Sequence, residues 1–263
     1  MFDPVAFTVF GFAIRWYALA YIAGIVLGWL LAKRLLRYSD EPSIPSAFQL
    51  EQFTSWAVFG IIIGGRLGYT TLYNWDYYSQ NLVEILYVWK GGMAFHGGML
   101  GVAAALYLFS RQAKLPLWRL PDVICCVAPL GIFLGRLSNF INGELWGRIT
   151  TSSWGMVFPH SGDMLPRHPS QLYQAFGEGL LLLLILLAGA RFGGWLRTPW
   201  RCTAVFLGGY GALRFAAEFF REPDVQLGFI LSGLTQGQLL CIPMIIAGFL
   251  LWFIAPRYAR RTA

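Results

Sequence analysis

Residues 123–141 read VICCVAPLGIFLGRLSNFI. The stretch is predominantly apolar, and its one charged residue is Arg136. A helix that crosses the hydrocarbon core of a bilayer needs about 20 consecutive, mostly apolar residues. The stretch therefore predicts a membrane-spanning helix that carries an arginine within the membrane.

Six further windows of the chain are comparably apolar. They cover residues 13–36, 53–73, 93–109, 172–190, 203–220 and 238–255. All seven windows together predict an all-α polytopic membrane protein with seven transmembrane helices. We expect these helices to form a single integral-membrane domain over residues 1–263.

The overall composition supports this fold class. Of the 263 residues, 57% are hydrophobic and 13% are charged, whereas soluble proteins average about 25% charged residues. A soluble globule could not cover its surface with so few charges, and the same figures exclude a disordered, collagen-like or coiled-coil protein. The net charge is +7. We interpret the distribution of the basic residues as a sign of membrane topology, and we expect no nucleic-acid partner.

Basic residues are concentrated in the segments that follow windows one, three, five and seven. Each of these segments contains three of them: Lys33, Arg34, Arg37, Arg111, Lys114, Arg119, Arg191, Arg197, Arg201, Arg257, Arg260 and Arg261. Cytoplasmic loops of membrane proteins carry an excess of Lys and Arg. This distribution predicts that the N-terminus lies outside the cytoplasm and the C-terminus inside.

Two longer segments fall on the predicted outer side. Residues 142–171 are rich in Trp and Pro and are too short for an independent domain, so we expect a small extracytoplasmic cap folded on the helices. Residues 74–92 are rich in Tyr and Trp, and such residues are typical of an interfacial aromatic belt.

Polar side chains form stripes on two of the predicted spans. If residues 123–144 are helical, Arg136, Asn139 and Gly143 share one face. A second stripe, at helical spacing in the sixth window, contains Tyr210, Arg214, Glu218 and Arg221. Ionisable residues inside a membrane are costly, so by default they indicate a functional site.

The predicted topology places Arg136, Arg214 and His96 at one depth, in the outer half of the membrane. Guanidinium groups bind phosphate through a planar fork and stay charged when desolvated. The phosphate available at that depth belongs to a phospholipid head group, which makes the two arginines candidate clamps. Structural alternatives remain open, because Arg214 could form a buried ion pair with Glu218, and Arg136 could pair with Glu144 or snorkel outward.

His96 could act as a base, a hydrogen-bond donor or a metal ligand. The adjacent Gly97 and Gly98 could let backbone N–H groups approach an anion. His160 and His168 also fall on the outer side, but the spacing of the histidines does not favour a zinc site. The chain has no GxSxG motif, and its cysteines lie away from the polar stripes, so a covalent enzyme intermediate is not favoured.

Residues 135–147 read GRLSNFINGELWG. This block resembles the signature of bacterial prolipoprotein diacylglyceryl transferases, Gly-Arg-x-small-Asn-Phe-aliphatic-Asn-x-Glu-x-x-Gly. Ser138 stands where the family usually has Gly or Ala. Further family blocks are matched in order over nearly the whole chain, by Trp16-Tyr17, His96-Gly97-Gly98, residues 167–173, and the set Tyr210, Arg214, Glu218 and Arg221.

The resemblance implies a transferase reaction. The diacylglyceryl group of phosphatidylglycerol would move to the lipobox cysteine thiol of a prolipoprotein signal peptide, as the first step of lipoprotein maturation. A thioether forms and glycerol phosphate leaves, and no metal or organic cofactor is implied. The resemblance places the protein in the bacterial cytoplasmic (inner) membrane, with its active site toward the extracytoplasmic side and with membrane lipid as a partner.

Individual roles also follow from the resemblance. Arg136 and Arg214 would stabilise charge on the departing phosphate, and His96 would act as base or orient lipid and thiol. Gly147 would permit a tight turn. The residues expected to bind or orient the substrates are Tyr17, Asn139, Glu144, Gly147, Tyr210, Glu218, Arg221, Gly97 and Gly98, with Glu218 also holding Arg214 in place.

Two other classes of protein remain as alternatives. A transporter or flippase for an anionic lipid or solute would also carry midplane charges and Gly-interrupted helices. The polar residues described above nevertheless lie in the outer half of the membrane. In the inner half, Arg66 is the one candidate for a corresponding group of polar residues. A lipid-binding assembly protein without chemistry would bind lipid but form no thioether.

Overall fold

The computed structural model describes residues 3–39, 45–223, 229–231 and 233–262, and most of these residues are helical. The α-helices are α1 (Trp16–Leu35), α2 (Ala47–Gly68), α3 (Trp75–Tyr78), α4 (Phe95–Gln112), α5 (Arg119–Asn142), α6 (Ser170–Gln174), α7 (Leu182–Phe192), α8 (Arg201–Ala217) and α9 (Gln236–Thr262). A π-helical segment, Tyr69–Tyr73, continues α2, and another, Ala175–Leu181, joins α6 to α7.

Short elements complete the fold. Single turns of 3-10 helix cover Leu36–Tyr38, Leu82–Leu86, Val88–Lys90, Pro159–Ser161 and Trp195–Arg197. Three antiparallel hairpins occur among the described residues, in which β1 (Val5–Val9) pairs with β2 (Phe12–Arg15), β3 (Met156–Val157) with β4 (Pro166–Arg167), and β5 (Phe229–Leu231) with β6 (Leu234–Thr235). These hairpins are small additions to a helical protein.

Each predicted apolar window coincides with a helix. In the described part of the chain, four helical stretches are long and apolar enough to cross a membrane: Trp16–Tyr38, Arg119–Asn142, Ser170–Phe192 and Gln236–Ile254. The prediction of a helical, multi-pass membrane protein is therefore confirmed. That α2, α4 and α8 also cross the membrane, and that the N-terminus lies outside, stay predictions.

Contacts along the chain divide it into two compact units. One unit comprises Met1–Asp40 and Asp122–Ala263, and the other comprises Glu41–Pro121. The first unit contains most of α5 together with α6, α7, α8 and α9, and the second contains α2, α3 and α4. A single membrane domain over residues 1–263 stays a prediction.

Glycines bring α2 and α4 into backbone contact within the second unit. Gly60, Gly64 and Gly68 recur every fourth residue on α2 and face Gly97 and Gly101 on α4. A Cβ atom added at Gly60 would lie 2.6 Å from the carbonyl oxygen of Gly101, and one at Gly68 would lie 2.7 Å from Cα of Gly97. Small residues allow such close approach of membrane helices. This line of glycine contacts, which we name the glycine seam, holds the first turns of α4 against α2.

Arg66, near the end of α2, has a structural role. Its side chain is buried and donates hydrogen bonds to the carbonyl oxygens of Glu84, Ile85 and Gly91. It also donates to the hydroxyl of Tyr78 at 3.3 Å. These contacts hold the segment that connects α3 to α4, and they account for this arginine without a transport function.

We predict that Gly64→Ala destabilises the protein. The added Cβ would collide with the carbonyl oxygen of Gly97, and overpacking of this kind costs about 1–3 kcal/mol. The apparent melting temperature of the purified protein in detergent should fall. Gly131→Ala on α5 is the matched control, because its Cβ meets open space. Equal melting temperatures for the two variants would contradict the close packing of α2 and α4 at the glycine seam.

Candidate active site

Oppositely charged side chains meet inside the unit formed by Met1–Asp40 and Asp122–Ala263. We name Arg136, Glu178, Arg214, Glu218 and Arg221 the charged cluster. The Glu178 carboxylate lies 3.4 Å from Nη2 of Arg136 and 3.7 Å from Nη1 of Arg214. The Glu218 carboxylate lies 2.8 Å from Nη2 of Arg214 and 3.8 Å from Nη1 of Arg221. The structure therefore brings the two predicted phosphate clamps together through a shared carboxylate.

Three helical stretches position the centre of this cluster. Arg136 comes from α5, Glu178 from the π-helical segment Ala175–Leu181, and Arg214 from α8. A Cβ added at Gly179 would lie 2.7 Å from Cα of Phe133, so a glycine is needed for the π-helical segment to approach α5 this closely. π-Helical turns within α-helices frequently occur at functional sites.

Burial makes Glu178 essential to the arrangement. Its side chain has no exposed surface, while the side chains of Arg136 and Arg214 are 18% and 10% exposed. Charges interact strongly where the dielectric constant is low, and a buried charge that loses its partner is strongly destabilising. Two neighbouring guanidinium groups can be buried here because one carboxylate lies between them.

The cluster keeps capacity for an anion. The two Glu178 contacts are longer than the 2.7–2.9 Å typical of charge-assisted hydrogen bonds. A guanidinium has five N–H donors, and within the described residues Arg136 directs one hydrogen bond, to Glu178. The oxygens of a phosphate group are acceptors that match these remaining donors.

Glu178 is the functional residue that the sequence analysis missed. The predicted alternative of an Arg214–Glu218 ion pair is present, but Arg136 pairs with Glu178 rather than with Glu144. The signal in the sequence is plain, because Glu178 is the one acidic residue in the window over residues 172–190.

The end of α5 places Asn139 and Glu144. Gly143 adopts a left-handed conformation with φ of +65°, and the N–H of Glu144 donates to the carbonyl oxygen of Asn139, as in a Schellman motif. This turn lets Nδ2 of Asn139 donate to Oε1 of Glu144 at 2.9 Å. The Gln171 amide on α6 donates to the Glu144 carbonyl oxygen at 2.7 Å, so the signature block packs onto the helix that carries Glu178.

Gly147 requires a different explanation from the predicted tight turn. It pairs with Arg221 in an antiparallel bridge, and its N–H donates to the His168 carbonyl oxygen at 2.9 Å. An added Cβ would lie 2.5 Å from the carbonyl oxygens of both His168 and Phe220. The glycine is needed because two other backbone segments pass on either side, and it thereby fixes the segment that holds Arg221.

The predicted tyrosines lie on helices of the same unit. Tyr17 is in the first turn of α1, with its hydroxyl 3.1 Å from that of Tyr21. The Ser138 hydroxyl of α5 donates to the Trp16 carbonyl oxygen at 3.4 Å, so the residue that departs from the family pattern links α5 to the start of α1. Tyr210 lies one turn before Arg214 on α8.

His96, Gly97 and Gly98 belong to the other unit. They lie in the first turn of α4, and the side chain of His96 is outside the described part of the structure. Packing against α2 accounts for Gly97. Their role at the site stays a prediction.

The predicted cap, residues 142–171, is held by Arg167. This buried side chain donates to the Gly147 carbonyl oxygen and to Glu222, each at 3.1 Å, and pairs with Asp163. Hydrogen bonds from Arg167 and from Ser161 hold the pKa of the Asp163 carboxyl well below its usual range. Arg167 therefore connects the cap to the segment beside the charged cluster.

Comparison with known proteins gives consistent matches over nearly the whole chain. A family model described as prolipoprotein diacylglyceryl transferase matches residues 4–254. The phosphatidylglycerol–prolipoprotein diacylglyceryl transferase of Rhodopseudomonas palustris is 51% identical over 265 residues, which cover 99% of this chain and 92% of the relative. Proteins of the same name from Nitrobacter hamburgensis and Rhodospirillum rubrum are 51% and 50% identical, over 98% and 97% of this chain and 91% and 93% of each relative.

We predict that Glu178→Gln destabilises the protein strongly. The change leaves the buried Arg214 and the partly buried Arg136 without their shared carboxylate, and breaking a buried ion pair costs about 3–5 kcal/mol. Glu222→Gln is the matched control, because the Glu222 side chain is 44% exposed and its partner Arg167 keeps the ion pair with Asp163. Apparent melting temperatures in detergent measure both effects. A Glu178→Gln variant as stable as the control would refute the role of the shared carboxylate.

Proposed function

The chain belongs to the prolipoprotein diacylglyceryl transferase family, and on that premise we propose how its residues carry out the family's reaction. The protein transfers the diacylglyceryl group of phosphatidylglycerol to prolipoproteins, the first step of lipoprotein maturation. One observation supports the assignment of its active site more than any other. It is the pair of the partly buried Arg136 and the buried Arg214, held together by the carboxylate of Glu178.

The acceptor in this proposal is the lipobox cysteine of the signal peptide. Its sulfur forms a bond to the glycerol carbon that carries the phosphate, and the carbon–oxygen bond to the phosphate breaks. Glycerol phosphate departs with the electron pair of that bond, and a thioether remains. A thiolate is the nucleophile, so the thiol, with an ordinary pKa near 8.5, must first lose its proton.

Arg136 and Arg214 bind the phosphate in the ground state and stabilise the charge that develops on it. The phosphodiester carries one negative charge, and the departing glycerol phosphate gains another as the bond breaks. Donors fixed in a site of low dielectric constant stabilise such charge without reorganising. Glu178 and Glu218 hold Arg214 in place, because the Glu178 carboxylate contacts its Nη1 and the Glu218 carboxylate contacts its Nη2.

The remaining site residues orient the substrates. Asn139 and Glu144 form a hydrogen-bonded pair about one turn beyond Arg136, where they can contact the polar head of the lipid. Tyr17 and Tyr210 have the same role in this proposal. His96 accepts the thiol proton or orients the lipid and the thiol, a role supported by the resemblance of the His96-Gly97-Gly98 block to the family pattern.

The proposed topology has seven transmembrane helices, with the N-terminus and the cap on the extracytoplasmic side of the bacterial inner membrane. Both substrates are anchored in the bilayer, so they must enter sideways between helices. Numerous large apolar side chains are exposed on the helices, including Ile22, Ile63, Leu184 and Phe249. This surface suits a protein whose surroundings and substrates are lipid.

We predict that Arg136→Lys and Arg214→Lys each lower the rate of thioether formation by about 10²–10³-fold, the usual effect of losing one stabilising donor. Lysine keeps the charge but loses the planar fork that binds phosphate. The assay uses purified protein in detergent, phosphatidylglycerol and a lipobox peptide, and mass spectrometry detects the product. Arg111→Lys, an exposed substitution at the end of α4, is the control.

Near-wild-type rates for both site variants would exclude the phosphate clamp. Absence of any thioether product from the wild-type protein would instead favour a transporter or a lipid-binding assembly protein.

We predict that His96→Gln abolishes thioether formation at pH 7 while the protein stays folded. If His96 is the base, raising the pH toward 9 should partly restore the rate, because more of the thiol is then ionised without help. Circular dichroism checks the fold, and rates across this pH range test the role. Full activity of the variant at pH 7 would remove His96 from the mechanism.

A further inference from the structure

A stripe of buried polar side chains runs along the helix that carries Glu178. Gln171, Gln174 and Glu178 have no exposed surface. They lie three and four residues apart, so they share one face of the continuous helical stretch Ser170–Phe192. Gln171 reaches the carbonyl oxygen of Glu144, and Glu178 reaches the two arginines. Gln174 therefore lies between the signature block and the charged cluster.

The Gln174 amide is unused by the rest of the protein. Among the described residues, neither its nitrogen nor its oxygen has a hydrogen-bond partner. Most buried polar side chains in proteins are hydrogen-bonded, and a side-chain amide offers two donors and one acceptor oxygen. A fully buried amide of this kind, on the helix face that also carries Glu178, indicates a ligand with hydroxyl or similar groups.

We propose that Gln174 binds the hydroxyl groups of the head-group glycerol of phosphatidylglycerol and so selects this lipid. The inference rests on the proposed function, because it takes the lipid phosphate to lie at Arg136 and Arg214. Gln174 lies about one helical turn from Glu178, where α6 joins the π-helical segment. The free glycerol extends from the phosphate over a comparable distance, so its hydroxyls reach the amide when the phosphate occupies the cluster.

The chemistry of the amide favours a diol over other lipid head groups. A hydroxyl both donates and accepts, which matches the nitrogen and oxygen of an amide. An ethanolamine head offers an ammonium group, which donates only and would add positive charge beside the arginines. Gln174 is therefore a specificity-determining residue in this proposal, and Arg136 and Arg214 recognise the phosphate that all phospholipids share.

The test compares two anionic lipids that differ in the head-group hydroxyls. Phosphatidylglycerol and phosphatidylpropanol carry the same phosphate charge, but the second lacks both free hydroxyls. We expect the wild-type full-length protein to use phosphatidylglycerol with a kcat/KM about tenfold higher, as the loss of a hydrogen bond to a buried amide implies. In Gln174→Met, which keeps the side-chain length without the amide, this ratio should fall to about one through loss of rate with phosphatidylglycerol alone.

Phe176→Leu, an exposed substitution on the same helix, is the matched control and should leave the ratio unchanged. If Gln174→Met does not fold, Gln174→Leu replaces it, because that side chain also lacks the amide and carries no charge, and the same ratio decides. The inference is overturned if the Gln174 variant keeps the wild-type ratio of the two kcat/KM values. It is also overturned if the variant loses rate equally with both lipids, or if the KM for the peptide rises with both. A wild-type protein that forms no product with either lipid overturns the proposed function itself.

Discussion

The ion pairs between Glu178 and the two arginines are the interaction on which the rest of the site depends. Without the carboxylate, Arg136 and Arg214 would repel each other in a buried place, where such repulsion is strong. With it, both guanidinium groups are held in place next to each other. A pair of arginines at this place needs such a partner, because unpaired buried charges are strongly destabilising.

Close backbone approaches make that interaction possible. The π-helical segment brings Glu178 toward α5 because Gly179 has no side chain to collide with Phe133. Gly143 ends α5 in a turn that joins Asn139 to Glu144, and Gly147 lets the segment with Arg221 pass beside it. In the other unit, glycines on α2 and α4 fix the start of the helix with His96. Glycines in this protein thus position charged groups that lie elsewhere in the sequence.

Much of the fold could be predicted from local sequence. Long apolar windows give the helices, and Arg136 and Arg214 stand out because charges are costly in a membrane. The partners of those charges could not be predicted, because ion pairs between α5, the π-helical segment and α8 depend on contacts distant in sequence. The same limit explains Gly147, for which a local turn was expected while two remote backbone segments impose the glycine. Arg66 likewise binds carbonyl oxygens that only the folded chain brings to it.

The most direct test of the phosphate clamp measures its distance to the lipid. Solid-state NMR on protein with ¹³C-labelled arginine, in phosphatidylglycerol bilayers, detects couplings between guanidinium carbons and lipid phosphorus. We expect two guanidinium carbons within about 4–5 Å of a phosphorus atom, the separation that hydrogen-bonded pairs impose, and loss of both couplings when Arg136 and Arg214 are replaced by lysine. Couplings that are absent from the wild type, or that persist unchanged in the double variant, would contradict the account.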